Sequence, residues 1–215
     1  MNLPSDAGWA ASVERIGAHY DALVDRYGHD ARACDYGRAE SQRIKFAVLA
    51  QAIPLEGKRV LDVGCGFADF ADYLAGIAPN VEYAGVDISP AMIGAARRLH
   101  PHLNLRELDI LTDEPGGPFD LVTANGIFYL LGEEAEMRMQ RLIARMFALC
   151  REAVAFTSLS AWAGDREAGE FYADPVRILD FCRTLTPYIR LRHDYLPHDF
   201  AVYLYRQRSA FEVSA

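Results

Sequence analysis

The stretch Val60–Phe70, VLDVGCGFADF, restricts the fold more than any other part of the chain. An apolar run reaches an acid, Asp62, then turns through Gly64 and Gly66 into a helical pattern. A short buried strand, a glycine turn and a helix form the opening unit of a parallel α/β sheet. The rest of the sequence continues that rhythm. Strands are predicted at 59–63, 81–86, 103–108, 119–124 and 153–159, with helices at 67–77, 89–99, 133–149 and 175–185. Ser89-Pro90 and Asp174-Pro175 supply the cap and first-turn proline of two of these helices. Two last strands, 188–195 and 200–205, are joined by the short LPHD. They must pair as an antiparallel hairpin, because a parallel crossover needs a dozen residues or more. The fold class is therefore α/β: a doubly wound sheet, mostly parallel, with one antiparallel strand near the edge. Helices at 8–27 and 39–53 precede it. The chain divides into a helical N-terminal cap, 1–55, and an α/β domain, 56–215.

Composition removes several classes of function. The net charge is −8 with no cluster of Lys or Arg, so the footprint of a general nucleic-acid binder is missing. No apolar run is long enough to span a membrane, and the N-terminus lacks the pattern of a signal peptide. Cys34, Cys65, Cys150 and Cys182 are widely spaced, which reads as reduced thiols in a cytoplasmic protein rather than a disulfide framework or a zinc site. No metal site is expected.

Glycine turns of this kind hold nucleotides at the carboxyl ends of the strands. A dinucleotide fingerprint needs a small residue at position 69, where this chain has Asp69. With Asp62 just before the turn, two carboxylates would repel a diphosphate, and no compensating cation lies nearby in the sequence. No G-K-[ST] follows, which excludes a Walker loop. A cationic ligand suits the acids. S-adenosylmethionine carries a sulfonium and an ammonium and no phosphate. Asp87, about 20 residues beyond Gly66, is spaced to accept from a ribose diol. That spacing fits any adenosine ligand, so Asp62 and Asp69 make the choice.

VLDVGCGFAD, GVDISPAMIGAAR, LRELDI and FDLVTANGIFYLL resemble, in order and spacing, the four motifs of the class I S-adenosylmethionine-dependent methyltransferases. The resemblance covers about 57–160 and implies their Rossmann-like sheet. It implies that Asp62, Gly64, Cys65 and Gly66 hold the methionine end, chiefly through backbone groups. Asp87 would bind the ribose, Ile88 and Met92 pack near the adenine, Asp109 accept from its amino group, and the Ile110 N–H serve a ring nitrogen. Asn125 and Gly126 would line the pocket near the methyl. Ala68 stands where many members have a third glycine. The tail from Tyr172 resembles bacterial members that act on small molecules.

Methyl transfer needs alignment, exclusion of water and, for some acceptors, a base. His19, Tyr20, Tyr129 and His193 are candidates. His198-Asp199 reads as a turn, and His29, His100 and His102 as exposed loop residues. Arg38 or Arg43 could reach the cofactor carboxylate, and Tyr36 is among the aromatics available to line an acceptor pocket. The expected activity is transfer to an O or N nucleophile of a small-molecule methyl acceptor, with no nucleic acid or membrane partner. A homodimer is compatible with the composition. The rivals are a nucleic-acid methyltransferase, since Asn125 sits where adenine-N6 enzymes carry an Asn-Pro-Pro-aromatic motif, a non-methylating protein that binds the same cofactor, and a dehydrogenase.

Overall fold

A computed structural model describes residues 7–35 and 39–208. Tyr36 and Arg38 lie outside the described residues. The elements run α1 (Ala7–Tyr27), a 3-10 turn (Ala31–Cys34), α2 (Ala39–Leu49), β1 (Arg59–Val63), α3 (Asp69–Ile77), β2 (Glu82–Asp87), α4 (Pro90–Leu99), β3 (Asn104–Glu107), β4 (Phe119–Asn125), α5 (Ala135–Leu149), β5 (Cys150–Leu159), α6 (Pro175–Leu185), β6 (Ile189–Leu196) and β7 (Asp199–Tyr205). The seven strands form one sheet in the order β3-β2-β1-β4-β5-β7-β6. β7 runs antiparallel to both of its neighbours, β5 and β6, and is the single reversed strand. The doubly wound sheet with one reversed strand beside the edge is the architecture expected from the sequence.

Alternate strand residues feed two cores, as the two-residue repeat of a strand requires. Leu61, Val63, Phe200 and Val202 face one side with Ile16, Met139, Ile143 and Ile178, so α1, α5 and α6 cover that face. Val60, Ala201 and Tyr203 face the other with Leu49, Phe70, Leu74 and Ile93, so α2, α3 and α4 cover it. The N-terminal helices thus share both cores with the sheet. Tyr203, fully buried, donates from its hydroxyl to the Val48 carbonyl at 2.7 Å and ties α2 to β7. One turn earlier on α2, the Lys45 ammonium lies 2.7 Å from Asp199, both buried.

Two helix ends differ from the sequence reading for local reasons. α2 stops at Leu49, not at 53, because the residue before Pro54 disfavours helical backbone. Gln51 and Ala52 instead close tight turns onto Val48 and Leu49. α5 starts at Ala135 because Glu134 takes a left-handed conformation with φ 56°.

The order of strands reverses between β1 and β4. Consecutive connections leave β1 in one direction and β4 in the other, so their carboxyl ends open a crevice. α1 crosses that end of the sheet. Its Asp21 accepts from the Ser89 hydroxyl at 2.6 Å and from the Ala91 N–H at 3.2 Å, while Ser89 accepts from the Met92 N–H at 3.0 Å as the cap of α4. Replacing Ser89 with Ala removes a cap and leaves Asp21 short of a donor. Urea unfolding should show a loss of about 1–2 kcal/mol.

Candidate functional site

The crevice is a cavity of ≈ 870 Å³. That is ample for a nucleoside cofactor together with a modest second molecule. Its floor is the turn after β1. Gly64 and Gly66 have φ of +71° and +53°, a left-handed backbone that glycine adopts without strain. The N–H groups of Gly64 and Cys65 both donate to the Val86 carbonyl, at 2.8 and 3.0 Å. The Gly66 N–H donates to Asp87 Oδ2 at 2.9 Å. The Ala68 N–H donates to the Cys65 carbonyl at 2.8 Å. Four of the five N–H groups from Gly64 to Ala68 are therefore engaged internally. A phosphate cradle works by presenting such N–H groups to its anion; this turn keeps the N–H groups of both its glycines for the protein.

Carboxylates complete the floor. Asp62 is buried and accepts from the Tyr83 hydroxyl at 2.8 Å and the Thr123 hydroxyl at 2.9 Å. Burial raises its pKa to about 7, against the opposing pull of those two hydrogen bonds. Asp87 accepts from the Gly66 and Ser89 N–H groups, and burial raises its pKa also. Asp69 is 2.8 Å from His29 Nε2 and accepts from Gln42 at 3.3 Å. His29, read from the sequence as an idle loop residue, is thus a partner that Asp69 lacked in the sequence reading. It remains exposed at its own end, as expected.

Cys65, Met92, Ile88 and Ile110 all line the cavity. Asp109 lines it as well. It accepts from the Trp9 indole N–H at 2.6 Å and the Leu111 N–H at 2.9 Å, so its carboxylate is tied to α1. Asn125 Oδ1 accepts from the Thr157 hydroxyl at 2.8 Å, and that hydroxyl accepts from the Gly126 N–H at 3.1 Å. The two residues after β4 are thereby fixed to β5. A Cβ on Gly64 would fall 2.3 Å from the Ile127 side chain, so the turns after β1 and β4 touch.

Three of the four candidate bases converge. The Tyr20 and Tyr129 hydroxyls are 2.8 Å apart. Tyr129 donates to Asp35, and His19 Nε2 lies 2.7 Å from the same carboxylate oxygen. Burial holds both tyrosines well above the usual phenol range. Asp35, their common partner, was not singled out in the sequence. No local pattern marks it: it ends a 3-10 turn and meets Tyr129 across 94 residues. Trp9, the partner of Asp109, was likewise not singled out in the sequence. His193 stands apart from this group. It bonds Ser160 Oγ at 2.8 Å and stacks against Trp162.

Beyond the tyrosines, the cavity extends under α2, the segment after β5 and the β6–β7 turn, with Gln42, Phe46, Ala163, Glu170 and His198 on its walls. Among the described residues, no group of three or more His, Cys, Asp or Glu side chains is placed to hold a metal ion. All four cysteines are free. No described helix is long and apolar enough to cross a membrane.

A Rossmann-like sheet with an acidic, donor-poor glycine turn at its switch point defines a class of nucleoside-cofactor proteins, and comparison with known proteins narrows it. Residues 61–153 match the model of a methyltransferase domain family. Trans-aconitate 2-methyltransferase of Methylobacterium radiotolerans is 34% identical over 116 residues, 53% of this chain and 43% of that one. The chain matches less than half the length of that relative. Among solved structures, magnesium protoporphyrin IX methyltransferase of Synechocystis, with bound S-adenosylhomocysteine, superposes with a TM-score of 0.68 at 15% identity, over 91% of this chain and all of the other. Phosphoethanolamine N-methyltransferase 2 of Haemonchus contortus, with S-adenosylmethionine, gives 0.61 at 17% identity, over 80% of this chain and 45% of that one. At such identities the likeness speaks for the fold. Residues 61–153 thus carry the pattern of a methyltransferase domain, in the fold that these S-adenosylmethionine-dependent methyltransferases share.

Two outcomes test the floor of the site. Gly64→Ala forces a side chain onto Ile127 at a positive φ. Calorimetry should show S-adenosylmethionine binding weakened roughly tenfold or more, since the loop must shift by an ångström-scale distance. Asp62 binds its proton up to about pH 7, and only the ionised form attracts a cation. Affinity for S-adenosylmethionine should therefore rise as pH passes upward through about 7 and level off above it. Asp62→Asn should flatten that profile.

Proposed function

We propose that this protein transfers the methyl group of S-adenosylmethionine to an O or N nucleophile of a small molecule in the cytoplasm. The single observation that carries the reading is the glycine turn with the N–H groups of Gly64, Cys65 and Gly66 engaged internally and its rim acidic, which favours a sulfonium cofactor over a diphosphate. Asp62, Gly64, Cys65 and Gly66 would hold the methionine end. Asp87 and Ile88 would serve the ribose and adenine, Met92 and Ile110 the adenine pocket, and Asn125 and Gly126 the methyl. Asp109 would meet the adenine amino group alongside Trp9. Residues 1–55 act in this reading as a cap over the domain 56–215.

The reaction is an in-line displacement at a carbon that the sulfonium already activates, so the cofactor supplies the chemistry. The chain supplies alignment and a dry cavity.

Trans-aconitate is not a suitable acceptor here. It is a polyanion, while Asp35, Asp69, Asp165, Glu167 and Glu170 line the cavity against Lys45, which is paired with Asp199, and Arg166, which donates to the Ala161 carbonyl. A neutral acceptor of modest size, partly apolar, meets Phe46, Leu159 and Tyr172 more favourably. Nucleic acid is disfavoured by the same charge and by a net −8.

Incubation with S-adenosylmethionine and a panel of neutral metabolites should yield S-adenosylhomocysteine. Transfer RNA and DNA should neither bind at low salt nor accept methyl groups. Tight binding of NADH with no binding of S-adenosylmethionine would overturn the assignment.

A further inference from the structure

The hydrogen bonds around Asp35 have a direction. An ionised carboxylate only accepts, so Tyr129 donates to it, as the geometry has it. A phenol has one proton. The Tyr129 oxygen must then accept from the Tyr20 hydroxyl, 2.8 Å away. That commits the proton of Tyr20 and leaves its oxygen as an acceptor on the wall of the cavity. At the other end, the Asp35 side chain is 31% exposed and that of His19 39% exposed. His19 Nε2, 2.7 Å from the same Asp35 oxygen, must carry its hydrogen to bond it, which fixes the carboxylate in place. A chain of acceptors therefore starts inside the cavity and ends at water.

We propose, building on the methyltransferase reading, that Tyr20, Tyr129 and Asp35 form a one-way proton path that drains a hydroxyl acceptor, a phenol or comparable weakly acidic O–H, as it is methylated. The acceptor hydroxyl donates to the Tyr20 oxygen. As the acceptor oxygen bonds to the methyl carbon, the carbon–sulfur bond breaks and its electron pair goes to sulfur. The acceptor proton passes to Tyr20, the proton of Tyr20 to Tyr129, and that of Tyr129 to Asp35, which releases it to solvent. The products are the methyl ether, S-adenosylhomocysteine and one proton. Tyr20 is the catalytic residue in this scheme, since it touches the acceptor. Tyr129, Asp35 and His19 are positioning residues that act through it. Burial keeps both tyrosines as neutral phenols, so they pass protons along and do not trap them. A carboxylic acid acceptor is already ionised at neutral pH and would have no use for the path.

The test uses the full chain, S-adenosylmethionine, and substituted phenols ranging from unionised to fully ionised at the assay pH, with matched amines and carboxylic acids. Wild type should methylate the phenols. Tyr20→Phe and Asp35→Asn should lower kcat on unionised phenols by roughly a hundredfold or more, with little change on phenols already ionised. Cofactor affinity and melting temperature should stay close to wild type, and Tyr129→Phe should follow the same pattern. Equal losses on ionised and unionised phenols would mean that the cluster only supports structure, and would overturn the path. Binding of S-adenosylmethionine by wild type, with transfer to amines or carboxylates alone or to no phenol of the panel, would overturn the hydroxyl assignment and leave the cofactor reading standing. Absence of S-adenosylmethionine binding by wild type would overturn the methyltransferase reading itself, and this proposal with it.

Discussion

The hydrogen bonds that hold the turn after β1 against the end of β2 set the character of the whole site. Val86 offers one carbonyl to two N–H groups, and Asp87 offers one carboxylate oxygen to a third. A buried donor must find a partner. Once these three are found within the protein, they are not offered to an anion. Close approach of the two elements makes the arrangement possible. A Cβ on Gly85, in the middle of β2, would sit 2.8 Å from the Cys65 sulfur, so only glycine lets the turn lie down on the strand. The sign of the ligand charge follows from backbone packing as much as from the acids.

α1 completes the site by a series of polar contacts along its length. Trp9 meets Asp109, and Arg15 donates to the Leu130 carbonyl at 2.6 Å. Tyr20 meets Tyr129, and Asp21 caps α4 together with Ser89. Ser12 accepts from the buried Arg138 at 2.5 Å. Most of these contacts reach the segments after β2, β3 and β4, whose residues line the cavity. Each is worth about 1 kcal/mol net, and the buried Trp9 and Ile16 add apolar area. The helix is thus positioned by the same residues whose side chains face the cavity. Packing and site geometry are one arrangement here.

The sheet was legible because its signals are local. Apolar runs of strand length, Ser89-Pro90, Asp174-Pro175 and the short hairpin link each determine their own few residues. α6 accordingly falls at the residues read from the sequence, and α4 begins immediately after its capping serine. The site was legible only where its residues sit at strand ends, because strand order then brings Gly64, Asp87, Asp109 and Asn125 together. Asp35 escaped notice because its meaning comes from Tyr129, on another element across the sheet end. Asp62 shows a different limit. From the sequence it is a charge on the rim. In the fold it is buried beneath Tyr83 and Thr123, and its charge near neutral pH depends on what binds above it.

The glycine-turn side of the cavity and its other walls have separate origins in the chain. Residues 61–153, which match the family model, supply the glycine turn, Asp87, Asp109 and the tail of β4. The other walls come from α1, the 3-10 turn, α2, the segment after β5 and the turn before β7. Those are loops and helices held by the sheet but not dictated by it, the usual place for specificity in an α/β fold. A relative that shares the first set shares the cofactor logic; its acceptor does not transfer with it. The tyrosine pair illustrates the division. Tyr129 belongs to the shared half and Tyr20 with Asp35 to the other, so the proton path exists only where both halves meet. A chain with the same motifs and a different N-terminal helix would hold the same cofactor and would have to find another exit for the proton.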